Sequence, residues 1–61
     1  MKIYDIIAEY GPVASDHIQF YVVARDKSHA MSEAISVLER DYEHVWNRIG
    51  VKNIHVRDHI T

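Results

Sequence analysis

The run from Asp26 to Gly50, DKSHAMSEAISVLERDYEHVWNRIG, limits what this chain can fold into more than any other stretch. Met31, Ile35, Leu38, Tyr42, Val45 and Ile49 recur at spacings of three and four, so at about 100° per residue they share one stripe, which Ala34 and Trp46 widen. His29, Glu33, Ser36, Arg40, Glu43, His44 and Asn47 fall on the opposite side, a mixed-charge row of the kind that faces water. A long one-sided helix needs an apolar partner surface. Asp26 is the favoured N-cap, with Ser28 the other candidate, because either side-chain oxygen can accept from amides left unpaired in the first turn. Gly50 suits the position just past the end, where a left-handed backbone is unstrained, and Arg48 suits the negative end of the helix dipole. The helix is therefore expected to stop near residue 48, or to turn earlier around Glu43 to Trp46.

The partner surface must come from the flanking segments, and these read as strands. Lys2 to Tyr10 is β-prone with both alternating sets partly apolar: Tyr4, Ile6, Ala8 and Tyr10 on one face, Ile3, Asp5, Ile7 and Glu9 on the other. A strand with two usable faces belongs at the centre of a sheet. Gly11-Pro12 interrupts it, and GPVASDH reads as an exposed loop longer than a tight hairpin turn. Ile18 to Arg25 is the second strand, with Ile18, Phe20, Val22 and Ala24 toward the helix and Gln19, Tyr21, Val23 and Arg25 away from it. Val51 to Ile60 is the third, where Ile54, Val56 and Ile60 alternate with an outward set of Asn53, His55, Arg57 and His59.

The element order is thus β-β-α-β, an α+β two-layer fold with one long helix on one face of a three-stranded, mainly antiparallel sheet. The helix carries the chain back along the sheet, so strands two and three run in the same direction. Placing strand one between them, in the order 2-1-3, makes both pairings antiparallel and uses its two-faced character; a right-handed crossover is expected. The chain of 61 residues is read as a single domain, 1–61.

A domain this short buries only about 60% of its unfolded surface, and with no cysteine it has no disulfide to add. A homodimer or another protein partner is therefore expected. The lack of cysteine fits a reducing compartment, and no apolar run approaches the roughly 18 residues of a membrane span, so a cytoplasmic location without membrane contact is expected. Net charge is −2, from nine acidic and seven scattered basic residues, which gives weak attraction to a phosphate backbone.

If Tyr4, Ile6 and Ala8 face the helix, the uncovered sheet face carries Ile3, Ile7, Tyr21, Val23 and His55, framed by Asp5, Glu9, Arg25 and Arg57. An apolar centre with a charged rim is the pattern of a recognition surface, and Ile3, Ile7, Tyr21, Val23, His55 and Arg57 are the candidate protein-binding residues. The five histidines invite a metal reading that their spacing resists: His55 and His59 share a strand face about 13 Å apart at about 3.3 Å per residue, and His29 with Glu33 supplies only two ligands. Ser15-Asp16-His17 has the residue types of a hydrolytic triad, but sequence neighbours cannot adopt its geometry. With only Gly11 and Gly50, no glycine-rich phosphate loop is possible. No catalytic residue, metal or cofactor is assigned. Tyr4, Tyr10 and Tyr21 could offer stacking platforms to single-stranded nucleic acid, yet Asp5 and Glu9 lie among them in place of a basic groove.

MKIYDI followed by FYVVARDKSHAMSEAI, with Ala24, Asp26, Ala30 and Ala34 as its marks, resembles many small phage and mobile-element proteins, among them some anti-CRISPR and anti-restriction inhibitors. The resemblance implies a host-directed accessory or inhibitor protein and transfers no functional residue. The reading is a small non-enzymatic protein-binding protein acting through its open sheet face or by self-association. The alternatives are a single-stranded nucleic-acid binder using sheet aromatics and a small oligomeric enzyme.

Overall fold

A computed structural model describes residues 1–60; Thr61, the last residue of the expected domain, lies outside the described residues. Three strands, β1 (Lys2–Tyr10), β2 (Asp16–Ala24) and β3 (Val51–Asp58), and one α-helix, α1 (Lys27–Asp41), follow in the expected order, with a short π-helical segment, His44–Ile49, between α1 and β3. The sheet order is β2-β1-β3, and both pairings are antiparallel. β1 holds the centre, as its two apolar sets require.

β2 begins earlier than the alternation of apolar residues suggested. Asp16 and His17 pair with Tyr10 and Glu9, so the loop shrinks to residues 11–15. Gly11 opens it at φ 84°, a conformation that only glycine adopts freely. Val13 and Ala14 follow at φ 54° and 53°, left-handed conformations that are strained for side chains with a Cβ, and for a β-branched one above all. At the other end of the sheet β3 stops at Asp58. His59 still donates its amide to Ile3 O at 3.1 Å, but Ile60, expected on the inner face, lies past the ladder and is exposed.

α1 starts as expected: Asp26 Oδ1 accepts the His29 amide at 2.8 Å. His29 returns the favour one residue earlier, its Nδ1 accepting the Arg25 amide at 3.1 Å. An amide can only donate, so Nδ1 carries no proton there, and the Nε2 proton is free to meet Glu33 Oε1 at 3.3 Å. The residue placed on the watery side is therefore a half-buried part of the helix start.

The helix does not run to residue 48. α1 ends at Asp41, Tyr42 leaves helical geometry at φ −128°, ψ 41°, and its ring stacks on Phe20 of β2 with centroids 5.9 Å apart. The π-helical segment then closes with Gly50 donating to Val45 O at 2.7 Å, and Gly50 takes the left-handed φ of 87° expected past a helix end. A kink followed by a wider turn breaks the 100° periodicity. Val45 and Trp46 remain half-buried, but Ile49, the last residue of the expected stripe, turns outward.

Within α1 the buried row is Ala30, Ala34 and Leu38, with Val37 packed at its flank. Ala30 and Ala34 cluster with Tyr4, Ile6, Val22 and Ala24, while Phe20, Ile54 and Val56 close the sides. Four of the eight buried hydrophobic residues are alanines, so the helix lies close to the sheet and the core is thin.

Candidate functional site

The helix covers the face that carries Tyr4, Ile6 and Ala8, and this leaves the odd-numbered residues of β1 on the other. Register then fixes the neighbours. Ile3 lies beside Val23; Asp5 between Tyr21 and Arg57; Ile7 between Gln19 and His55; Glu9 between His17 and Asn53. All six candidate binding residues lie on this face. Ile3, Tyr21 and Val23, with relative exposures of 45%, 61% and 56%, form an adjoining apolar block at one end, whereas Ile7 is half-buried and sits beside His55.

The carboxylates are not a rim. Asp5 and Glu9 sit on the central strand, interleaved with Ile3 and Ile7, and each is engaged by a histidine of β3 or its continuation. His59 Nδ1 donates to Asp5 Oδ1 at 2.7 Å, and His55 Nε2 donates to Glu9 Oε1 at 2.9 Å. Both bonds run on the same diagonal: His59 is level with Ile3 and His55 with Ile7, and each reaches two residues along β1. An ionised carboxylate only accepts, so these contacts place a proton on His59 Nδ1 and on His55 Nε2. The His59 ring also meets Tyr21 edge-on, 5.1 Å between centroids at 72°, so one continuous contact runs from β3 across β1 to β2.

The hydrogen bond from His55 holds the Glu9 carboxyl below its ordinary range. Desolvation opposes this, while the charge of His55, a hydrogen bond from Asn53 and the charge of His17 reinforce it. Arg57, level with Asp5, has no ion-pair partner among the described residues, while the Asp5 carboxylate is engaged by His59. A shallow depression lined by Ile7, Glu9, Ile54, His55, Val56 and Arg57 lies at the β3 side of the face.

These histidines are oriented side chains, a feature that reading them as free surface residues misses. Chemically, each His–carboxylate pair is an oriented imidazole, but among the described residues no group of three or more His, Asp or Glu side chains is placed to hold a metal ion. The tyrosines do not form a common platform: Tyr4 is buried beneath the helix and Tyr10 half-buried on the same side, so Tyr21 alone faces outward. Asp16 and His17 open β2, and Ser15 ends the loop before it. Among the described residues no helix is long and apolar enough to cross a membrane. Comparison with family models, curated proteins and solved structures finds no match, so the site is read from its own geometry.

Proposed function

We propose that the protein is a non-enzymatic binding protein that docks another protein on its open sheet face. One observation carries this reading: Ile3, Tyr21 and Val23 form an exposed apolar block, Arg57 across Asp5 from Tyr21 has no ion-pair partner among the described residues, and the Asp5 and Glu9 carboxylates on the central strand are each already hydrogen-bonded by a histidine. A partner covering this face buries apolar area without stripping water from a bare carboxylate, which is the costly step in burying charge. Tyr and Arg are the side chains that most often anchor such interfaces. The sequence resemblance supports a host-directed accessory or inhibitor role in the cytoplasm.

A second reading, self-association, is favoured by the thin alanine-rich core, which leaves a chain of this size short of buried surface. Affinity capture from the native host separates the readings, with Val23→Asp as the face variant and Glu39→Ala on the exposed side of α1 as control. A host protein retained by wild type and the Glu39 variant but lost with Val23→Asp is the expected result. Equal retention by both variants moves the site off the sheet.

A further inference from the structure

The two free edges of the sheet are not alike. β3 carries Lys52, Arg57 and Asp58 along its length, and its register with β1 shifts at the Glu9/Tyr10 step, where Lys52 is the extra residue. Charges and bulges are the devices that stop an edge from pairing with another strand. β2 has no bulge, since all nine of its residues pair with β1 in one unbroken register, and its only carboxylate, lysine or arginine is Asp16 at its very start; from Ile18 to Ala24 it holds no charged side chain, proline or glycine. One edge is guarded and the other is a template.

The burial of β2 is also lopsided. On the helix side Val22 and Ala24 are buried, whereas Ile18 and Phe20, toward the other end, are only half-covered. An antiparallel partner strand would bring its own well-covered end beside this open one. A second copy supplies that complement by symmetry.

We propose that β2 pairs antiparallel with β2 of a second copy about a two-fold axis at Phe20, making a six-stranded sheet. This deepens the self-association reading and does not depend on a foreign protein docking. Centred there, all nine residues pair: Phe20 meets itself, Ile18 meets Val22, Gln19 meets Tyr21 and His17 meets Val23 of the other copy. A two-fold perpendicular to the sheet keeps both helices on one side, so the two open faces join into one continuous surface on the other.

The test combines sedimentation velocity from about 10 µM to about 1 mM with nuclear Overhauser spectra on a mixture of labelled and unlabelled chains. The expected result is a reversible dimer with intermolecular contacts between Gln19 and Tyr21 and between Ile18 and Val22. Charge variants check the register. Gln19→Lys with Tyr21→Lys sets like charges opposite each other across the axis and should weaken the dimer several-fold; Gln19→Lys with Tyr21→Glu sets opposite charges there and should restore it. A monomer throughout overturns self-association as a whole. A dimer whose intermolecular contacts fall on Ile3, Ile7 and His55, or on β3, overturns the β2 edge while leaving self-association standing.

Discussion

Leu38→Ala tests the packing on which the exposed face depends. Leu38 and Ile6 are the only large side chains among the described residues that are fully buried, and the remainder of the helix row is alanine. Truncation therefore removes the largest apolar group that α1 offers the core. Leu→Ala at such sites costs about 2–5 kcal/mol, the spread reflecting how far the surroundings collapse into the cavity. Total stability for 61 residues is about 3–9 kcal/mol at about 0.05–0.15 kcal/mol per residue. The variant should thus lose at least about a fifth of its stability, and be largely unfolded if the total lies at the low end of that range. Arg40 is the control: among the described residues its side chain bonds only the adjacent Asp41, at 3.1 Å on an exposed surface, so Arg40→Ala should change stability by less than about 0.5 kcal/mol. Urea melts followed by far-UV circular dichroism measure both; with a slope near 1 kcal/mol/M, the Leu38 variant should lose at least about 2 M in midpoint. Equal midpoints for the two variants would refute the helix face, and with it the assignment of the open sheet face.

Asp26→Ala removes the side chain that accepts the His29 amide and should cost about 1 kcal/mol in the same melts, whereas Asp26→Asn should be nearly neutral. Val13→Gly should stabilise by about 0.5–1 kcal/mol by relieving the left-handed strain at an exposed site, the gain being reduced by glycine's larger entropy loss. Carboxyl-detected NMR titration should find Glu9 below its ordinary range in wild type and back within it in His55→Ala, since the hydrogen bond from His55 is the main cause of the shift. Because the folded value is the lowered one, the stability Glu9 contributes is present above its unfolded pKa of about 4.3 and is lost as pH falls through the folded value, so Glu9→Gln should flatten that part of the acid limb. Random single-stranded oligonucleotides at about 150 mM salt should bind more weakly than about 10 µM, as scattered basic residues and a net charge of −2 imply; submicromolar binding abolished by Tyr21→Ala would instead favour the nucleic-acid reading.

How legible these features are depends on the range of the interaction behind them. Asp26 and Gly50 act on amides and dihedrals within a few residues, so their roles can be read from local spacing, and the alternation in β1 and β2 states directly which side chains share a face. The end of α1 is different. Tyr42 fits the helical stripe, yet it leaves helical geometry where its ring stacks on Phe20, more than twenty residues away in the chain. Nothing in the local pattern announces that contact, and the burial of Ile49, inferred by extending the period, fails with it. Likewise the extra residue at Lys52 shows only once β3 is laid against Tyr10, where it brings Val51 level with that tyrosine.

The His–carboxylate pairs lie between these cases, and they bear on how the face works. Asp5 and Glu9 are four residues apart on one strand; His55 and His59 are four apart on its antiparallel neighbour, so a single register that satisfies one pair satisfies both. That signal is present in the chain but becomes visible only when the two segments are paired. The repeat also helps fix the register: a slip of one residue would turn both histidines toward the helix, and a slip of two would pull each away from its carboxylate. The groups that hydrogen-bond the carboxylates of the open face are thus among those that hold β3 in place. Replacing His55 and His59 together should loosen β3 as well as leave two carboxylates bare among Ile3, Ile7 and Tyr21, so loss of binding in that double variant would not by itself locate the partner. Substitution at Arg57, which stands outside both pairs and off the β2 edge, is the one that reports on docking without disturbing either.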